Sequence, residues 1–201
     1  AFFDISTNAY TEDFDSYTAA TSSYTYAATN ETPVCWEMRS NGTYGPTNDY
    51  WPRIYKGTSY CPTSNNNALL LNATYYTTTP SYTTQRGNVK MAVLPTFSEP
   101  LYNTTIAFDA RFGSASSSYT DSLFVAIATG DTTFVPLAYF ANPTSSATAT
   151  IAVEVDLNNY QSIIQNNPNG RLAIVFKAGN YSSSSTRYLG IDNVVVSKRS
   201  D

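Results

Sequence analysis

The sequence contains no histidine. That absence removes the Ser-His-Asp and Cys-His nucleophiles, the H-E-x-x-H zinc site and the imidazole pH switch. Only two cysteines are present, too few for a zinc finger or an iron–sulfur centre. Charge is sparse as well: 13% of residues are Asp, Glu, Lys or Arg, about half the usual share. The 11 basic and 15 acidic residues leave a formal charge of −4, with no Lys/Arg cluster. Nucleic acid and anionic membranes are therefore poor partners. No apolar run reaches the length of about 18 residues that a membrane-spanning helix needs, so no membrane insertion is expected.

In place of charge there are 23 Ser, 28 Thr, 18 Asn and 17 Tyr. Solubility resting on hydroxyls and amides points to a secreted or cell-surface setting, and the opening Ala1 is read as the start of a processed chain. The 201 residues, 42% of them apolar, suffice for one domain with a proper core, and no linker or repeat divides them. A single domain over 1–201 is expected.

Period-2 alternation dominates from the middle of the chain onward. Ile106, Phe108, Ala110 and Phe112 share one face while Asp109 and Arg111 share the other. Ile151, Val153, Val155 and Leu157 stand opposite Glu154 and Asp156 in the same way, and Leu172, Ile174 and Phe176 mark a third such run. The stretches 68–72, 89–94, 123–129, 133–140 and 189–196 are rich in apolar, β-branched or aromatic residues and read as further strands. Polar punctuators at 114–118, 142–143, 166–170 and 182–185 separate the later ones. The one helical candidate is 158–165. About nine to twelve short strands joined by polar turns predict an all-β, antiparallel β-sandwich.

The segment 41–63 is different. It sets Gly42, Gly45, Pro46, Gly57 and Pro62 among Tyr44, Tyr50, Trp51, Tyr55 and Tyr60. Loops of this length are functional or tied down. Cys35 and Cys61 bracket most of it. A disulfide between them is expected, closing a loop for about 3 kcal/mol on the chain-entropy model, with two buried thiols as the alternative.

Several phrases in order resemble a known family: Glu12-Asp13-Phe14-Asp15-Ser16, Thr32-Pro33-Val34-Cys35-Trp36, Asn67-Ala68-Leu69-Leu70-Leu71, Ala92-Val93-Leu94-Pro95, Ile106-Ala107-Phe108-Asp109-Ala110-Arg111, Asp131-Thr132-Thr133-Phe134-Val135-Pro136, Arg171-Leu172-Ala173-Ile174-Val175-Phe176 and Leu189-Gly190-Ile191-Asp192-Asn193-Val194-Val195-Val196. Over residues 10 to 197 the chain is similar to the jelly-roll modules of Bacteroidetes surface proteins, akin to MAM domains and to the cleaved-adhesin modules of gingipain-type proteases. The resemblance implies a jelly roll appended to larger secreted proteins, with adhesion or glycan binding as its role and calcium at a structural site. The chain lacks the four-Cys pattern of vertebrate MAM domains.

Candidate sites follow. Calcium takes six to eight oxygens. Asp13 and Asp15, beside Glu12, would meet Asp192 if the first and last strands lie close, the alternative being a solvated acid cluster. A sugar ring rests its C–H face on aromatic side chains, with amides, Asp or Arg taking its hydroxyls. Tyr44, Tyr50 and Tyr55 offer such faces, with Asp49 and Arg53 as polar handles, while Trp51 is expected to be packed. The face carrying Asp109, Arg111, Glu154 and Asp156 reads as cross-strand ion pairing, or as a second ligand surface. Asp109 and Glu154 would also be the carboxylate pair of a glycoside hydrolase if a cleft separated them by roughly 5–10 Å. The five Asn-x-Ser/Thr triplets, at Asn30, Asn41, Asn72, Asn103 and Asn180, match the four to five that composition alone gives by a rough count. Asp121-Ser122-Leu123 and Asp131-Thr132-Thr133 resemble a Bacteroidetes O-glycosylation triplet.

The expected function is thus a non-catalytic, carbohydrate-binding or adhesive module whose partners are a glycan or host-surface polymer and other domains of a larger protein. The alternative is a structural subunit with no ligand of its own, with a glycoside hydrolase third.

Overall fold

A computed structural model describes residues 2–113, 119–143, 149–179 and 186–200. The turns expected at 114–118 and 182–185 and the triplet starting at Asn180 lie outside the described residues. In chain order the strands are β1 (Phe2–Phe3), β2 (Tyr10–Glu12), β3 (Glu37–Ser40), β4 (Arg53–Lys56), β5 (Asn67–Ala73), β6 (Val89–Val93), β7 (Thr96–Phe97), β8 (Thr104–Phe112), β9 (Ser122–Ala128), β10 (Phe134–Ala141), β11 (Thr150–Asp156), β12 (Arg171–Lys177) and β13 (Arg187–Lys198). Helix α1 (Pro80–Arg86) precedes β6. A 3-10 turn at Leu157–Tyr160 leads into α2 (Gln161–Gln165), where the one helix was expected.

The long strands form two antiparallel sheets, in the orders β10-β9-β12-β6-β3 and β11-β8-β13-β5-β4. The architecture is a β-sandwich of the jelly-roll type. In the second sheet β13 is central. It pairs with β8 on one side, and on the other with β5 through its first half and β2 through its second.

Alternation decides the inner faces. Ile106, Phe108, Ala110 and Phe112 from β8 meet Leu123, Val125 and Ile127 from β9 and Leu172, Ile174 and Phe176 from β12 in one core shared by both sheets. The residues between them fill a second cluster outside the first sheet: Val89, Met91, Val93, Ala126, Ala128, Ala173 and Val175, with Phe124 and Phe134 against them. Arg39, on the edge strand β3, donates to the Gly130 carbonyl beyond β9 at 2.6 Å. Two strands separate β3 from β9, so this bond spans the apolar outer face.

The outer face of the second sheet is covered by chain. Asn67 Nδ2 donates to the Phe14 and Tyr17 carbonyls (both 2.9 Å), Asn72 Nδ2 to Ser23 (3.1 Å) and Arg111 to Thr58 (3.1 Å) and Cys61 (3.2 Å). At Gly190 a Cβ would stand 1.9 Å from the Tyr60 carbonyl oxygen, so only glycine lets the 57–66 segment lie on β13. β5 is therefore buried along its whole length, which explains its continuous apolar run.

Helix α1 corrects the expectation of a single helix. No residue of it is buried, so it carries no apolar period; Pro80 at its start and Gly87 (φ 86°) just beyond its end delimit it.

Candidate functional site

Residues 41–52 carry the chain from β3 to β4 and dock on the end of α1. The amides of Thr43 and Tyr44 donate to the Thr84 and Gln85 carbonyls (both 2.9 Å). A Cβ at Gly42 would lie 2.5 Å from the Gln85 carbonyl oxygen, so the approach requires glycine there. Tyr50 takes a left-handed backbone (φ 64°), and its amide donates to the Tyr24 carbonyl at 2.7 Å. The two rings stack with centroids 5.3 Å apart. Asp49 Oδ1 accepts the Tyr26 amide at 2.7 Å. The Arg86 guanidinium lies 3.9 Å from the Tyr50 ring centre and 4.3 Å from that of Tyr82. The result is a continuous row from Tyr24 through Tyr50 and Arg86 to Tyr82, with Tyr26, Tyr44 and Asp49 beside it. Tyr24 is 45% and Tyr26 37% exposed.

Tyr44, Asp49 and Tyr50 are thus brought together, and Trp51 packs against the core as expected. Arg53 is a correction. It is 1% exposed and out of reach of any ligand. Its guanidinium donates to the carbonyls of Trp51 (3.1 Å), Tyr24 (3.0 Å), Ser22 (3.5 Å) and Thr25. Three of these four carbonyls, those of Ser22, Tyr24 and Thr25, belong to the segment that carries Tyr24, so Arg53 holds half of the row in place. Tyr55 also departs from the expected group. It packs on Tyr60 (6.1 Å), which stacks on Tyr188 (4.4 Å), under the 57–66 segment. Tyr24, Tyr26, Tyr82 and Arg86 were absent from the sequence reading. The available signals were the Ser/Thr/Tyr alternation through 22–26 and the four-residue spacing of Tyr82 and Arg86, which places them on one side of a helix.

Beneath the row lies Lys90, fully buried, its Nζ donating to the Tyr50 carbonyl at 2.6 Å. Burial, and secondarily Arg53, lower its pKa to about 7.

A second candidate is acidic. The second strand meets the last, while β1 pairs with β7: β2 runs beside β13 with Glu12 opposite Val194. One extra residue bulges β13 against β8 between Asp192 and Val195, with Asn193 at φ 53°. Asn193 donates from its amide to Asp192 Oδ1 (2.8 Å) and from Nδ2 to Asp109 Oδ2 (2.9 Å), while the Asp15 amide donates to Asp13 Oδ1 (3.0 Å). Asp192 is buried; desolvation, then the charges of Asp15, Asp13 and Asp109, push its pKa up to about 6. Asp13, Asp15 and Asp192 therefore share one electrostatic neighbourhood. Among the described residues, no three acidic, Cys or His side chains close into a metal-binding group.

The remaining face behaves differently from the reading. Arg111 binds main-chain carbonyls instead of a cross-strand carboxylate. Asp156 pairs with Arg199 from beyond β13 (2.8 Å), which holds its carboxyl below the usual range. The disulfide is also corrected: both cysteines are free thiols. Cys35 is exposed at the start of the first sheet, where its carbonyl faces Arg171, while Cys61 is buried outside the second and contacts the Tyr55 carbonyl (3.6 Å). Burial raises the Cys61 thiol pKa. Cys35 lies just ahead of β3 beside the first sheet and Cys61 in the 57–66 segment that covers the second, so the two thiols sit against different sheets.

No protein-family model matches the sequence, and no curated protein matches it. Among solved structures the chain is similar to the K2 cleaved adhesin domain of Lys-gingipain. The TM-score is 0.50 at 12% identity, over 94% of this chain and 99% of that one. The K3 cleaved adhesin domain from Porphyromonas gingivalis w83 follows at TM-score 0.43 and 11% identity, covering 87% of this chain and 98% of that one. A structure described as CBM4 has TM-score 0.33 and 13% identity, covering 83% and 96%. At these identities the likeness is one of fold, and it meets the cleaved-adhesin part of the resemblance at that level. Among the described residues no helix is long and apolar enough to cross a membrane.

Proposed function

We propose that the chain is a non-catalytic, secreted or cell-surface module that binds carbohydrate on the tyrosine row. The observation that carries this reading is the stacked Tyr24–Tyr50 pair, whose outer ring is 45% exposed on a backbone fixed from beneath by Arg53 and Lys90. A rigid aromatic face open to solvent suits the C–H face of a pyranose, because little side-chain freedom is lost on binding. The fold shared with an adhesin domain supports a binding role. One or two stacking faces correspond to dissociation constants of about 10 µM to 1 mM. Affinity electrophoresis through a panel of polysaccharides tests it: Tyr24→Ala with Tyr26→Ala should abolish retention while leaving the melting temperature near that of the parent. Retention by the folded double variant would move the ligand elsewhere.

Calcium belongs to this proposal as a structural ion drawn to Asp13, Asp15 and Asp192, whose carboxylates would have to close around it; a cation there would relieve the crowding of buried Asp192 by like charges. The structural-subunit reading is favoured by one feature, the edge strand β10. Its eight residues carry no charge, and Tyr139 is 59% exposed on it. Concentration-dependent self-association, with no saccharide bound, would select that reading.

A further inference from the structure

Seven arginines occur in the chain. Six of them are committed to acceptors within the protein: Arg39 to Glu37 and Gly130, Arg53 and Arg111 to main-chain carbonyls, Arg171 to Glu37 and Leu94, Arg187 to Asp121 and Arg199 to Asp156. Arg86 is the exception. Among the described residues no acceptor takes a hydrogen bond from its guanidinium, whose Cζ lies over the rings of both Tyr50 and Tyr82. Contact with two rings holds the half-buried group in place, and its N–H donors, none of them taken by a described acceptor, are the fork that receives a carboxylate or sulfate in two parallel bonds.

The charge around it has the same sign preference. The chain as a whole carries −4, yet this end gathers Arg86 and Arg53, with the partly protonated Lys90 beneath them. Asp49, the carboxylate next to Tyr50 in sequence, has one oxygen already engaged by the Tyr26 amide. We propose that the tyrosine row is built for an acidic saccharide, with Arg86 receiving the ring carboxylate of a uronic acid or an ester sulfate while the sugar face rests on Tyr24. Carboxylate and sulfate offer the same planar or near-planar pair of anionic oxygens to the guanidinium, so both sources are tested.

The proposal rests on the carbohydrate-binding reading, and the experiment separates the two. Binding of the whole chain is measured by calorimetry at physiological salt. The probes are polygalacturonate oligomers, the same oligomers with their carboxyls reduced to alcohols, and a sulfated galactan beside its desulfated form. The acidic member of at least one pair should bind about tenfold more tightly, the worth of one charge-assisted bidentate contact at an exposed site. Arg86→Gln should reduce that member to the affinity of its neutral twin, and Arg86→Lys, which keeps the charge without the fork, should fall between. Lys177→Gln, an exposed cation on β12, should change nothing. Near-ultraviolet circular dichroism of each variant reports whether the tyrosine row is intact. In a folded Arg86→Gln, unchanged preference for the acidic member overturns the proposal, as does equal binding of acidic and neutral twins by the parent. In that last case the carbohydrate reading stands; if no saccharide of either kind binds, both fail.

Discussion

At Lys90 and Asp192 the fold holds ionisable groups where water is scarce, and the two act on stability with opposite signs. Lys90 has a folded pKa of about 7 against an ordinary 10.5, so between those values the unfolded chain carries a proton that the folded one lacks. Stability therefore rises with pH across that window, by about 2 kcal/mol from pH 7 to 9. Asp192 works the other way. Its folded pKa of about 6 exceeds the ordinary 3.8, so the folded state binds the extra proton and stability falls as pH climbs from 4 to 6. Denaturant titrations in chelator across pH 4–9 should show both slopes. Lys90→Met should flatten the alkaline one and Asp192→Asn the acidic one. Arg53→Met should cost about 2–4 kcal/mol by orphaning carbonyls that now share one guanidinium, read from the same titrations. None of this was legible in the sequence. Arg53 sits in a polar, tyrosine-rich loop, and residue type alone says exposed; its burial comes from segment 22–25 folding back over β4, a long-range event that no local pattern reports.

Among the elements, β8, β11 and β12 were readable because one side of each pairs strict alternation with a shared core. The short strands β3 and β4 were not, since the loops that flank them supply their cover. Helix α1 escaped for a related reason: a helix with no buried side chain has no period to read. The aromatic loop stands out in the sequence, but half of the tyrosine row comes from 22–26 and from α1. The cysteines show the limit of bracketing arguments, since two thiols astride one loop in sequence settle against different sheets. Labelling under denaturing, non-reducing conditions should find two free thiols per chain. In the native protein Cys35 should react promptly, while Cys61 waits for the 57–66 segment to open. Gly190→Ala should loosen that same segment: its methyl would collide with the main chain of Tyr60, so Cys61 should then label faster, with a loss of stability of about 1–3 kcal/mol.

For the molecule as a whole, the last strand β13 adjoins the second strand β2, while the first, β1, pairs with β7. A structural cation at that junction would tie the two ends of the sheet together. It would stabilise the fold by about 2.7 kcal/mol at a hundredfold excess over its dissociation constant. Chelation should then lower the melting temperature and added calcium restore it; an unchanged curve, with no metal in the purified protein, removes the ion from the account.

The central place of β13 bears on how the chain comes to be made. A ribosome delivers β9 and β10 as neighbours that can zip up as a nascent hairpin, and β11, which follows them, can then return to pair with β8. The second sheet, however, has a gap at its middle until Arg187–Lys198 emerges, because β5 and β2 on one side and β8 on the other have only that strand to join them. Until then the apolar faces of β5 and β8 are exposed to whatever is nearby. Closing the second sheet is thus a late, long-range step that waits on β13, and the fold cannot be completed strand by strand from its N-terminal side.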